Sequence, residues 1–163
     1  MKRVCVFAGS SPGSRPEYAA AARELGEEIA ARGLGLVYGG SSVGLMKVLA
    51  DATLAAGGHV TGVIPESFAA REIAHPGLSG LEVVQTMQDR KRVMAELSGA
   101  FVALPGGMGT LDEVFEVLTW AQLGEHVKPC GLLNVAGYYD ELLRVHDLTT
   151  RERFVRQAHR DMI

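Results

Sequence analysis

Short apolar runs rich in Val, Leu and Ile alternate along the chain with longer stretches of helical periodicity, and glycine clusters sit at many of the junctions. The runs predict strands at 3–7, 34–38, 60–64, 81–85, 100–104 and 129–133. The periodic stretches predict helices at 16–32, 44–56, 86–97, 110–123 and 138–147. Most runs lack period-two alternation, which suits strands covered on both faces. Strand–helix alternation implies a parallel sheet with right-handed crossovers. The expected fold class is therefore α/β, a Rossmann-like, doubly wound parallel sheet. Segment 75–80 reads as a surface loop, and with no linker, repeat or low-complexity tract the whole of 1–163 reads as a single domain.

Composition narrows the class further. With 47% hydrophobic and 21% charged residues the chain is globular rather than disordered. A net charge of −3 removes any broad electrostatic case for nucleic acid. Cys5 and Cys130 lie inside apolar runs and read as buried thiols in a reducing compartment. No apolar stretch reaches the ~18 residues of a membrane span, and the N-terminus lacks a signal-peptide core. The expectation is a cytoplasmic protein without membrane contact.

In an open α/β sheet, ligands sit beyond the carboxyl ends of the strands. Three of those ends carry glycine and serine: Ala8-Gly9-Ser10-Ser11, Gly39-Gly40-Ser41-Ser42-Val43-Gly44 and Pro105-Gly106-Gly107-Met108-Gly109-Thr110. Glycines let backbone N–H groups approach an anion, and a helix dipole adds partial positive charge. A phosphate-bearing ligand is the reading these loops support together. Named motifs nearly fit but fail. Gly107-x-Gly109 is followed by Asp112 where a dinucleotide fingerprint needs glycine, and Gly39–Gly44 lacks the lysine of a P-loop. Gly40-Ser41-Ser42-Val43-Gly44 matches the GxSxG nucleophile elbow, with Asp140 or Asp147 and then His159 in suitable chain order. The chain is short for that hydrolase fold. The five histidines show no ligand spacing, so no metal site is expected.

On a helical wheel of 110–123, Leu111, Val114, Phe115, Val117, Leu118 and Ala121 form a wide apolar face. Asp112, Glu116 and Thr119 lie opposite, with Glu113 beside them and Trp120 and Leu123 intruding. A helix so apolar suggests that part of it meets a second subunit. Thr110-Leu111-Asp112-Glu113 also matches a capping box, which would make Glu113 structural. In 86–97, Arg90 falls at the centre of the face of Met87, Val93, Met94 and Leu97, with Lys91 at its edge and Arg92 pointing away. An inward guanidinium needs an anion, either Glu113 or a ligand phosphate, unless it snorkels over the methionines.

Pro105–Glu113 (PGGMGTLDE) matches PGGxGTxxE, and the chain thereby resembles the LONELY GUY family of cytokinin riboside 5′-monophosphate phosphoribohydrolases, often labelled lysine decarboxylases. The likeness extends through 37–46, 63–65, 87–91 and 118–133. It implies a homodimer, without cofactor, that hydrolyses the N-glycosidic bond of an adenine-type nucleoside 5′-monophosphate such as AMP or isopentenyladenosine monophosphate. It assigns Arg90 and Glu113 as the catalytic pair. The candidate substrate-binding residues are Gly9, Ser10, Gly39, Gly40, Met87, Lys91, Gly106, Gly107, Met108, Gly109, Thr110 and Glu116. Glu113 would stabilise an oxocarbenium-like sugar, position ribose hydroxyls or activate water. Arg90 would orient it and hold its pKa low, or clamp phosphate. The alternative is a non-catalytic nucleotide-binding protein on the same fold. Ser41 and Lys47 replace the family's usual glycines and Gln88 its usual histidine, and relatives typically continue past the position of Ile163 by another element.

Overall fold

All six expected strands belong to one parallel sheet in the computed structural model, which describes residues 2–69 and 73–163. They are β1 (Arg3–Phe7), β2 (Gly35–Tyr38), β3 (His59–Pro65), β4 (Gly80–Val84), β5 (Ala100–Ala103) and β6 (Cys130–Leu132). The order is β4-β3-β2-β1-β5-β6, with registers such as Cys5 opposite Val37 on one side and opposite Phe101 on the other. Strand order reverses between β1 and β5, so the doubly wound expectation is met and the crevice at the reversal is the place for a ligand.

The helices are α1 (Pro16–Ala31), α2 (Gly44–Ala55), α3 (Glu66–Ala69), α4 (Met87–Glu96), α5 (Met108–Gln122), α6 (Asp140–Arg151) and α7 (Gln157–Arg160), with a 3-10 turn at Val135–Gly137. Helix α1 opens with Pro16, whose missing N–H costs nothing in a first turn. Helix α4 opens on Thr86, whose hydroxyl accepts from the Asp89 N–H at 3.0 Å.

Alternation along the central strands divides the core in two. Val6, Leu36 and Tyr38 face α1 and α2 and pack with Ala22, Leu45 and Leu49. Cys5, Phe7 and Val37 turn to the other face and pack with Met94, Phe101, Val114 and Val117 from the α4–α5 side.

Three expectations need correction and one is refined. The edge strand β4 is not covered on both faces: Leu81 and Val83 remain 42% and 52% exposed, because no strand follows it. Segment 75–79 is the surface loop expected, but its first residue is anchored: His75 is buried, its Nε2 lies 2.9 Å from Asp51 and its Nδ1 accepts from Gly77 N–H. Cys5 is buried but Cys130 is only partly so. The short helices α3 and α7 and the 3-10 turn went unpredicted because three or four residues carry no measurable periodicity.

Candidate active site

The reversal point is built by close backbone packing. Gly9 N–H donates to the Pro105 carbonyl at 3.1 Å, tying the loop after β1 to the loop after β5. A Cβ on Gly9 would stand 3.2 Å from the Gly106 Cα, and one on Gly106 only 2.1 Å from the Thr110 hydroxyl oxygen. These glycines let two loops and a helix start share one space.

The three glycine-rich ends do not play equal parts. The first turn of α2 and the loop before it are partly occupied, because Leu45 N–H donates to the Gly9 carbonyl at 3.0 Å and, in the loop, Ser42 N–H donates to the Ile73 carbonyl at 2.8 Å. Gly40, at φ 73°, turns its carbonyl to the His75 N–H. Among the described residues, α5 begins with a consecutive set of free donors. Its first backbone bond runs from Leu111 to the Gly107 carbonyl, and Gly107, Met108, Gly109 and Thr110 have no backbone acceptor among the described residues. Four N–H groups at a positive dipole end are suited to an anion such as phosphate.

A cavity of about 360 Å³ opens onto these donors. Of the residues expected at the site, Ser10, Gly39, Met87, Arg90, Gly107, Met108, Gly109, Thr110 and Glu113 line it. Gly9, Gly40 and Gly106 lie beneath its wall as packing elements. Lys91 and Glu116 do not line it but face each other at 3.0 Å on the α4–α5 seam, where Lys91 also reaches Asp112 at 3.1 Å. Those acids raise the Lys91 pKa against its partial burial. Sequence reasoning missed an apolar wall formed by Val43, Met46, Ile64, Pro65, Phe68 and Ile73. The available signal was that Ile64-Pro65 ends β3 at the ligand edge.

At the floor stand Arg90 and Glu113. The Arg90 Nε donates to the Val63 carbonyl at 3.1 Å, and its Nη1 lies 3.0 Å from Glu113 Oε1. The side chains are only 12% and 9% exposed. That contact lies off the hydrogen-bond axis, so the buried Glu113 Oε1 is left without a hydrogen-bond donor. Burial raises the Glu113 pKa, and this outweighs the opposing pull of Arg90. The expectation that Arg90 holds it low is therefore corrected. The capping-box reading also fails, because α5 begins two residues earlier than expected, at Met108, with Gly107 as its cap. Thr110 is then inside the first turn and buried, and Glu113 turns to Arg90.

Gly39 makes room for the guanidinium, since a Cβ there would sit 1.8 Å from Arg90 Nη2. Gly39→Ala is expected to fold normally, because the obstructed group is the end of a flexible side chain. Turnover should fall by about a hundredfold, the usual consequence of a 1 Å misplacement. Parallel melting and rate measurements check both halves.

The serine-hydrolase arrangement is not assembled. Asp140 accepts from the Asn134 side chain, Asp147 pairs with Arg160 and His159 lines a separate groove beside α5 and α6. Among the described residues, no three His, Cys, Asp or Glu side chains gather in a way that could hold a metal. No described helix is long and apolar enough to cross a membrane.

Fold and site together define a doubly wound α/β protein with a cleft at its reversal point, lined by a helix start with free backbone donors and floored by a buried carboxylate–guanidinium pair. The profile of the family described as "Possible lysine decarboxylase" matches residues 46–163. A probable cytokinin riboside 5′-monophosphate phosphoribohydrolase of Oryza sativa subsp. japonica is 52% identical over 161 residues, covering 99% of this chain and 71% of the relative. A cytokinin riboside 5′-monophosphate phosphoribohydrolase of Arabidopsis thaliana is 50% identical over 162 residues, covering 99% and 76%. The chain belongs to this phosphoribohydrolase family. Among solved structures, the molybdenum cofactor carrier protein of Chlamydomonas reinhardtii superposes with a TM-score of 0.70 at 26% identity, over 94% of this chain and 85% of that one. The molybdenum cofactor binding protein of Rippkaea orientalis gives 0.72 at 26%, over 92% and 86%.

Decarboxylation of lysine finds no support in the lysines themselves. None lines the cavity; Lys47 pairs with Asp51, Lys91 with the α5 acids, and Lys128 donates to the Ala95 carbonyl at 2.7 Å. Lys47 therefore adds an exposed ion pair one turn along α2 rather than a site group. Gln88 is exposed and outside the cavity lining.

Proposed function

We propose that this chain hydrolyses the N-glycosidic bond of an adenine-type nucleoside 5′-monophosphate, giving free base and ribose 5-phosphate. The observation that carries the reading is the juxtaposition in one cavity of four unpaired backbone donors with a buried, partly unsatisfied carboxylate. The donors of Gly107–Thr110 would hold the 5′-phosphate, and the apolar wall with Met46, Phe68 and Met87 would take the base. The ribose then lies over Glu113.

Departure of the base leaves positive charge on the sugar. A carboxylate in a poorly solvated floor stabilises that charge more strongly than one in water, and it can accept a proton from attacking water. Water supplies the hydroxyl of ribose 5-phosphate, and its proton is available to the departing base. Arg90, anchored on Val63, orients Glu113, and phosphate binding remote from the broken bond is converted into alignment.

The test is chromatographic: free base released from AMP and from isopentenyladenosine monophosphate, with the matching nucleosides as controls. Release from monophosphates alone is the expected result. Tight binding of AMP without release would instead support a non-catalytic nucleotide-binding protein on the same fold.

The same reading includes a homodimer in the cytoplasm. Phe115 on α5 stays 46% exposed and Leu123 at its end 68%, an apolar surface suited to a second copy. Sedimentation at micromolar concentration should give twice the chain mass, and a monomer mass would remove the dimer from the proposal.

A further inference from the structure

Three successive carbonyls in the loop between β5 and α5 are each held from outside the loop. The Tyr139 hydroxyl donates to the Leu104 carbonyl at 2.6 Å, Gly9 N–H donates to Pro105, and the Tyr138 hydroxyl donates to Gly106. A trans peptide is planar, so fixing one carbonyl fixes the following N–H in the opposite direction. The bonds to Pro105 and Gly106 thus set the Gly106 and Gly107 N–H groups.

Tyr138 has a second effect. The Gly106 carbonyl is the i−4 acceptor that Thr110 N–H would use if α5 extended one residue backward. The tyrosine hydroxyl occupies that carbonyl, and Thr110 N–H makes no backbone bond. The helix start stays open, and Gly107–Thr110 line the cavity.

Both tyrosines are themselves fixed. They follow the 3-10 turn Val135–Gly137, in which Ala136 and Gly137 adopt φ 51° and 74°. The Asn134 side chain accepts from Tyr139 N–H and donates to Asp140, both at 2.7 Å. The Tyr138 ring stands edge-on to Tyr18 and to Tyr139 at 5.7 and 5.0 Å, and Tyr139 is almost wholly buried. Neither tyrosine lines the cavity.

We infer that Tyr138 is a positioning residue for the phosphate of the substrate, acting through the backbone of Gly106–Gly107 and not by contact with the ligand, whereas Tyr139 holds a carbonyl that precedes Pro105 and so sets no N–H. The inference rests on the proposed reading that this loop takes a 5′-phosphate. It separates the work of α6's entry turn from mere packing, because removing one hydroxyl leaves the ring and its stacking in place.

Tyr138→Phe and Tyr139→Phe are the variants, and calorimetric titration with ribose 5-phosphate and with adenine is the measurement, beside KM and kcat for AMP. One hydrogen bond is worth about fivefold in binding. Tyr138→Phe should weaken ribose 5-phosphate and raise the AMP KM by about that factor, with adenine affinity unchanged and kcat altered less than KM, whereas Tyr139→Phe is the control that should leave ribose 5-phosphate affinity unchanged. Tyr138→Phe should melt with the wild type, which keeps the test valid should the buried Tyr139→Phe fold poorly. Unchanged ribose 5-phosphate affinity in folded Tyr138→Phe overturns the inference while leaving the hydrolase reading intact. Equal weakening of adenine and ribose 5-phosphate also overturns it, since that is general loosening. Wild type that binds ribose 5-phosphate but releases no base sinks the hydrolase reading, and the two variants still decide the positioning role. Wild type that binds no ribose 5-phosphate overturns the inference, and the hydrolase reading is then judged by base release alone.

Discussion

Glu113→Gln is expected to release base from AMP at least a hundredfold more slowly than wild type while melting at the same temperature or higher. The loss follows from the role of the carboxylate, since general-base work alone is worth about 10²–10⁴ in rate. Charge stabilisation of the sugar would add to it. The melting result follows from linkage. Burial raises the Glu113 pKa above its ordinary 4.5, so the native state holds that proton more tightly than the unfolded chain does. Its stabilising contribution is present at low pH and is lost as pH rises through the raised native value. At neutral pH the ionised group stands desolvated, and neutral glutamine relieves that burden. Arg90 keeps its bond to the Val63 carbonyl, and the glutamine oxygen can still accept from the guanidinium. The same shift fixes the pH profile. The acidic limb of kcat/KM should lie above pH 4.5 and belong to Glu113. Rate measurements across the acid range check it, and a limb that persists in residual Glu113→Gln activity would sink the assignment.

The second large effect is on folding. Gly44 opens α2 at φ 59°, and a Cβ there would come within 2.3–2.6 Å of backbone atoms of Ser10 and Ser11. Backbone on both sides leaves no flexible end to yield. Left-handed strain of about 1–2 kcal/mol and overpacking of about 1–3 kcal/mol act together in Gly44→Ala. A loss near 3 kcal/mol should lower Tm by about 6–12 °C in a chain of this size. Activity should fall as well, because the displaced Ser10 lines the cavity and the Gly9 carbonyl receives the α2 donors. Thermal denaturation with rates measured well below Tm separates the two. A melting curve unchanged from wild type would contradict the packing described.

Much of this fold was legible because its strands are short, unbroken apolar runs and its long helices carry clear periodicity. Helix α1 is recovered to within one residue at its end, having Pro16 to start it and Gly33 to stop it. Helix α5 was misplaced at its start by the very residues that make the site. Thr110 has the chemistry of a cap, yet the tight packing of Gly9 against Gly106 lets the helix begin at Met108. That packing joins residues almost a hundred positions apart and leaves no local pattern. The Arg90–Glu113 pair was legible as two inward-facing opposite charges, whereas the direction of the Glu113 pKa was not. It depends on how much water the sheet and α4 exclude, a property of the assembled interior. The resemblance places Lys91 among the substrate-binding residues, but a shared motif does not give distance, and the α5 acids hold it at 3.1 and 3.0 Å.

Met46, Met87 and Met108 all border the cavity, on three separate elements. Thioethers are unbranched, polarizable and easily re-posed, so a wall built from them moulds itself to its contents. A bare purine and one bearing a branched hydrocarbon tail can then be housed on the same backbone. Such a lining favours breadth among bases over strict exclusion, and places the firm demand on the ligand's anionic end.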